Sequence, residues 1–181
     1  MKKLLVFLSV LFIVLSCSNK SNENHEERPV IKGLHFFDFD EVVYYKTTMK
    51  QTDLDTVFNA PKSIRRQLLL DVLTSYTPES LKDSVFVAQL EDIGYNKKVL
   101  PDSINESLNK IFSERAYDED YAAPACMPYF RDVYVFRKNN KITGVAKICY
   151  GCGFSYFTGT DAVTQNFGRH NELKHLEKIV K

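Results

Sequence analysis

Residues 126–153 read CMPYFRDVYVFRKNNKITGVAKICYGCG, and the fold turns on the middle of this stretch. Residues 131–138 (RDVYVFRK) and 141–150 (KITGVAKICY) are rich in β-branched and aromatic side chains, which suit a pleated, half-buried surface. Asn139-Asn140 lies between them. Asparagine tolerates positive φ, as the tightest hairpin turns require. The spacing predicts a hairpin with Lys138 opposite Lys141, Phe130 opposite Cys149, and Cys152 opposite Met127, beside Cys126. Pro128 cannot donate to a ladder, and Gly151 and Gly153 free the other chain, so the base is set less firmly than the tip.

Upstream, residues 31–48 (IKGLHFFDFDEVVYYKTT) also favour strand, with Asp38-Phe39-Asp40-Glu41 as a turn or a polar edge. Three helices are expected next. Asn59-Ala60-Pro61 reads as a helix start, followed by a stripe of Ile64, Leu68 and Val72 flanked by Leu69, Leu73 and Tyr76. Thr77-Pro78-Glu79 opens a second helix, with Phe86, Leu90 and Ile93 on one face and Gly94 as its stop, although Val85-Phe86-Val87 also suits a strand. Pro101-Asp102 precedes Ser103 and Glu106 at capping-box spacing, and Ile104, Leu108, Ile111 and Phe112 share a face. Residues 171–180 form a short closing helix. The sum is an α+β fold: an antiparallel sheet with three to four helices packed on one face, a cysteine-bearing hairpin near the C-terminus, and one domain over residues 30–181.

The chain has 181 residues, 44% hydrophobic and 26% charged, which suits a packed domain and excludes a disordered or collagen-like chain. Lys plus Arg is 24 against 23 for Asp plus Glu, a balance with no electrostatic footprint for nucleic acid. The N-terminus has a different texture. Lys2-Lys3 precede an apolar run over residues 4–15, then Ser16-Cys17-Ser18. A bilayer span needs about 20 apolar residues, so this run is too short for one and has the layout of a secretory signal peptide over residues 1–16.

Val14-Leu15-Ser16-Cys17 resembles the lipobox of bacterial lipoproteins. The resemblance implies cleavage after Ser16, a diacylglyceryl thioether on Cys17 and acylation of its amine. Ser18 in place of Asp resembles the pattern of outer-membrane sorting. Loss of residues 1–16 removes two lysines and no acid, leaving 22 basic and 23 acidic residues. Residues 17–29 read as a lipidated flexible tether; SNKSNENHEER has no apolar anchor. Its Glu23, Glu26 and Glu27 are similar to short surface-export signals, but a solvated tether is the simpler reading. The expected location is the cell envelope at the outer membrane. The expected partners are the membrane itself, through Cys17, and an envelope protein or ligand.

Three cysteines remain in the domain, and an oxidising envelope favours a disulfide. An odd number leaves one thiol over. Register brings Cys152 somewhat nearer than Cys149 to Cys126, and either bridge would staple the hairpin base. Two other chemistries use the same residues. Cys149-Tyr150-Gly151-Cys152 has the C-x-x-C spacing of a thiol–disulfide oxidoreductase, yet no helix is expected after it to acidify the first thiol. Cys126, Cys149, Cys152 and His170 have the donor types of a closed Cys₃His zinc site. The block from Cys126 to Gly153 also resembles a recurring C-terminal block of bacterial lipoproteins of unknown role, which implies that the three cysteines form one local unit.

Other constellations fall short of a site. His170 and His175 are five apart, about 140° around a helix, where paired metal ligands sit four apart; they read as surface histidines. Asp118-Glu119-Asp120 lacks the alternation and glycine of a calcium loop. His35, Asp38 and Asp40 read as sheet and turn residues. No G-x-S-x-G surrounds a serine, and no glycine-rich phosphate loop is present. Phe154, Tyr156 and Phe157 read as core, with a binding surface as the alternative. The function expected from the sequence is a non-catalytic, membrane-tethered binding module with no cofactor; zinc enters only with the Cys₃His alternative.

Overall fold

The computed structural model describes residues 30–116 and 125–180. The signal segment, Cys17, the tether up to residue 29, and Asp118-Glu119-Asp120 lie outside the described residues. The expected hairpin is present as β3 (Asp132–Lys138) and β4 (Lys141–Cys149). Asn139 and Asn140 sit at φ 49° and 63°, the conformation the turn demands. Lys138 faces Lys141 as the spacing requires. Beyond the tip, Arg137 faces Ile142 but Phe136 faces Gly144, so Thr143 forms a bulge and the register moves by one. The ladder ends at Asp132 opposite Ile148, so the expected pairing of Phe130 with Cys149 does not form.

The hairpin is the middle of a five-stranded antiparallel sheet. β1 (Glu41–Lys46) pairs with β3, β2 (Asn96–Val99) flanks β1, and β5 (Phe154–Thr158) flanks β4. The architecture is therefore α+β. The sequence expectation differs in one respect: helices cover both faces, not one. The reason is visible in the middle of β1 and β3, where residues 42–45 and 133–136 are buried in succession. Val42, Tyr44, Tyr134 and Phe136 enter one core with α3 (Asn105–Ile111) and α4 (Glu172–Val180). Val43, Tyr45, Val133 and Val135 enter the other with α2 (Ile64–Thr74) and a 3₁₀ helix at Leu81–Gln89. A strand dry on both faces needs a cover on each.

The first core is aromatic. Phe36 and Phe37 plug it, and Phe37 stacks on Phe136 with centroids 4.2 Å apart. Gly144, opposite Phe136, makes this possible: a Cβ there would lie 2.0 Å from the Phe37 ring. Two polar pairs cross the same core. The Tyr44 hydroxyl donates to the Asp132 carboxylate, and the Tyr134 and Tyr150 hydroxyls lie 2.7 Å apart. Burial pushes the Asp132 carboxyl up, while the Tyr44 hydroxyl and the charge of Lys46 hold it down.

Several local expectations are corrected. Asn59 ends a short helix, α1 (Leu54–Asn59); α2 starts five residues later, at Ile64, capped by Ser63, whose hydroxyl accepts the Arg66 N–H at 3.1 Å. Ile64, expected on the apolar stripe, is 88% exposed, and Leu70, Val72 and Leu73 carry the contact. The second helix is a 3₁₀ helix; Phe86, Leu90 and Ile93 are buried, and Gly94 follows at φ 100°. The third begins as 3₁₀ at Asp102–Ile104 with no side-chain cap, and buries Leu108, Ile111 and Phe112. Of residues 31–48, only β1 joins the ladder; His35 makes an isolated bridge to Ser113. β2 has no apolar alternation to announce it.

Lys147 is the least expected resident of the second core. It is fully buried on β4, with Nζ 2.6 Å from the Ser75 carbonyl and 3.4 Å from that of Asp71, where α2 ends. Nζ also lies 4.7 Å from the Phe130 ring centroid and 5.9 Å from that of Tyr156. The carbonyls and ring faces favour a cation, but burial dominates and drives the amine down to about 7, against the pull of Asp71. From about pH 7 to the ordinary lysine value of 10.5, the unfolded chain holds a proton that the native amine has released. Raising pH through this window therefore stabilises the native state, by at most about 1.4 kcal/mol per pH unit. Urea unfolding should show wild type gaining stability relative to Lys147→Met between pH 7 and 10, since the tyrosines are common to both. Parallel profiles would contradict the assignment.

Candidate functional site

Two places concentrate chemistry: the cysteine unit at the hairpin base and a cleft between α3 and α4. At the first, Cys126 and Cys152 form a disulfide, with Cα atoms 6.0 Å apart. Cys149 is a buried free thiol, and its sulfur accepts the Tyr129 N–H at 3.3 Å. Cys149 and Cys152, spaced C-x-x-C, are thus not joined to each other here. Both pack in the core shared with α2, together with Phe154 and Tyr156; Phe157 packs in the opposite core. The tyrosine beside Cys149, Tyr129, is pushed up to about 12 by burial. His170 is not brought to the cysteines; it lies on the α3–α4 side. Among the described residues, no three His, Cys, Asp or Glu side chains converge to hold a metal ion.

The cleft grows from three local features. After α3, Glu114 turns inward and its carboxylate accepts backbone N–H groups from Val163 at 2.9 Å, Lys32 at 2.6 Å and Leu34 at 3.2 Å. These bonds, that from Val163 foremost, hold its carboxyl below the usual range. They tie the start of the domain and the 160s loop to the end of α3. Next, Arg115 reaches across to α4: its Nε lies 2.8 Å from the buried Glu172 carboxylate, and its Nη2 donates to the Lys110 carbonyl. Glu172 also accepts the His170 N–H at 2.8 Å. Finally, Asn171 sits at φ 67° immediately before α4.

That turn changes the reading of the two histidines. His170 precedes α4 and His175 lies within it, so the helical angle between them does not apply. Both line one cavity of about 450 Å³ with Lys110, Arg115, Ala116 and Glu172. A second cavity of about 350 Å³ continues along the helices between Lys110, Ile111, His175, Lys178 and Ile179. Lys110, Ile111 and His175 border both, so they form one groove of ligand-binding size. Its lining includes Lys110, Arg115 and Lys178, and Glu172 is the one acid among the described lining residues, already taken by Arg115 and the His170 N–H. Sequence reading missed this site because the contributors come from two helices some 60 residues apart. The available signal was Asn171, a residue that readily takes positive φ and so breaks the helix between the histidines.

No family model matches this sequence, and no curated protein or solved structure is significantly similar to it. Among the described residues, no helix is long and apolar enough to cross a membrane.

The cysteine arrangement gives a direct test. The bridge closes a loop across 26 residues of sequence and should contribute roughly 3–4 kcal/mol. Native oxidised protein should leave Cys149 unalkylated by iodoacetamide, and denaturation without reductant should expose one alkylatable domain thiol. Cys126→Ser should lower stability by that amount and release Cys152 for labelling. Rapid native labelling of Cys149, or a Cys149–Cys152 bridge in the peptide map, would contradict the arrangement.

Proposed function

We propose that the chain is an envelope lipoprotein, anchored through Cys17 at the outer membrane, whose domain binds a ligand or an envelope protein and does not catalyse a reaction. The α3–α4 groove carries the binding part of this reading: it has ligand-binding size, an apolar floor and a charged rim. Two features support the location. The lipobox-like run ending at Cys17 has charge, apolar length, small residue and cysteine in order. The Cys126–Cys152 bridge suits a compartment that keeps thiols oxidised. Two acyl chains on one residue suffice for firm attachment, at about 0.8 kcal/mol per buried CH₂, and the polar tether lets the domain meet partners near that surface.

Expression of the full chain in a Gram-negative host, with a radiolabelled fatty acid, tests the anchor. Label should enter the wild type, and the mature mass should match acylated Cys17 without residues 1–16. Cys17→Ser should carry no label and leave the membrane pellet. A product that retains residues 1–16 and lacks acyl mass overturns the reading.

A further inference from the structure

We propose that the α3–α4 groove is a binding site for a small amphiphilic anion: a phosphate-type head held at the cationic rim and a short apolar body laid over Ile111 and Ile179. The proposal rests on the reading of this domain as a binding module and names what it binds. Charge carries the first half. Lys110 and Lys178 line the groove, His170 and His175 add ring nitrogens, and Glu172, the one acid among the described lining residues, is already satisfied by Arg115 and the His170 N–H. Among the described lining residues an anion meets these donors and no unpaired carboxylate. Lys110 is held by Glu106 at 2.6 Å, but their side chains are 72% and 82% exposed. Such a solvated i,i+4 pair is weak, so its ammonium is available to a ligand.

Shape carries the second half. The groove runs beyond the charged pocket, and its extension is floored by Ile111 and Ile179, with Lys178 on the rim. A bare inorganic ion would leave this apolar extension uncovered, whereas an anion with an organic body covers it.

Full-length protein in phosphatidylcholine nanodiscs, titrated calorimetrically with phenyl phosphate, tests the site. Phenyl phosphate should bind, benzyltrimethylammonium should not, and inorganic phosphate should bind more weakly. Lys110→Ala with Lys178→Ala should weaken binding about tenfold, and 0.5 M salt should weaken it in the same direction. Glu106→Gln should tighten binding two- to threefold by releasing Lys110, a gain that misfolding cannot mimic. The proposal is overturned if the organic cation binds as well as the anion, if inorganic phosphate matches phenyl phosphate, or if the double variant binds unchanged. It is also overturned if phenyl phosphate fails while phosphatidylglycerol vesicles bind, which would assign the groove to a membrane surface. The acyl mass of the same preparation is read separately, so a failed anchor and a failed groove are told apart.

Discussion

The β3–β4 hairpin is enclosed on both faces and both edges, and the rest of the domain is arranged to keep it so. β1 closes one edge and β5 the other. Val133, Tyr134, Val135 and Phe136 are buried in succession, so no face of β3 is left for water. That single fact requires two helical layers. It explains why Phe36 and Phe37, which join no ladder, are nonetheless fixed in place, and why the chain crosses from the α2 side to the α3 side between β1 and β3.

Enclosure also sets the terms for polar groups. Asp132 and Lys147 lie in the hairpin's buried strands, and each has specific partners: Tyr44 for the first, the Ser75 carbonyl and two aromatic rings for the second. Unpaired, either would cost several kcal/mol. Lys147 links β4 to the end of α2, and the Cys126–Cys152 bridge closes the hairpin base at the edge of the same core, with Cys152 packed against it and Cys126 exposed. The opposite core ends at the surface in the α3–α4 groove, where Arg115 and Glu172 join the two helices. The structural cysteine unit and the candidate binding groove thus belong to opposite sides of the sheet.

Much of this was readable where the signal is local. Asn139-Asn140 between β-rich runs specified the hairpin, and the spacing of Leu108, Ile111 and Phe112 specified the buried face of α3. Register favoured Cys126–Cys152, although the Thr143 bulge shifts the ladder on which that argument rested. What stayed hidden depends on tertiary context. Both-face burial of the sheet looks, in sequence, like any β-rich run. β2 pairs with β1 at the sheet edge with all four residues exposed, and its lysines reach the Val180 carbonyl and Glu91 and enter no core. Ser63 displaced Asn59 as a helix cap because α1 already occupied the earlier position. The groove required Lys110 and Lys178 to meet across two helices, which no local spacing encodes.

Native-state hydrogen exchange tests the enclosed hairpin most directly. The amides of Val133, Tyr134, Val135, Val145 and Ala146 should exchange only through global unfolding, with the protein's full unfolding free energy and its full denaturant dependence. If these amides open through smaller fluctuations, or exchange faster than those of α2 or α3, the hairpin is not the element on which the fold depends.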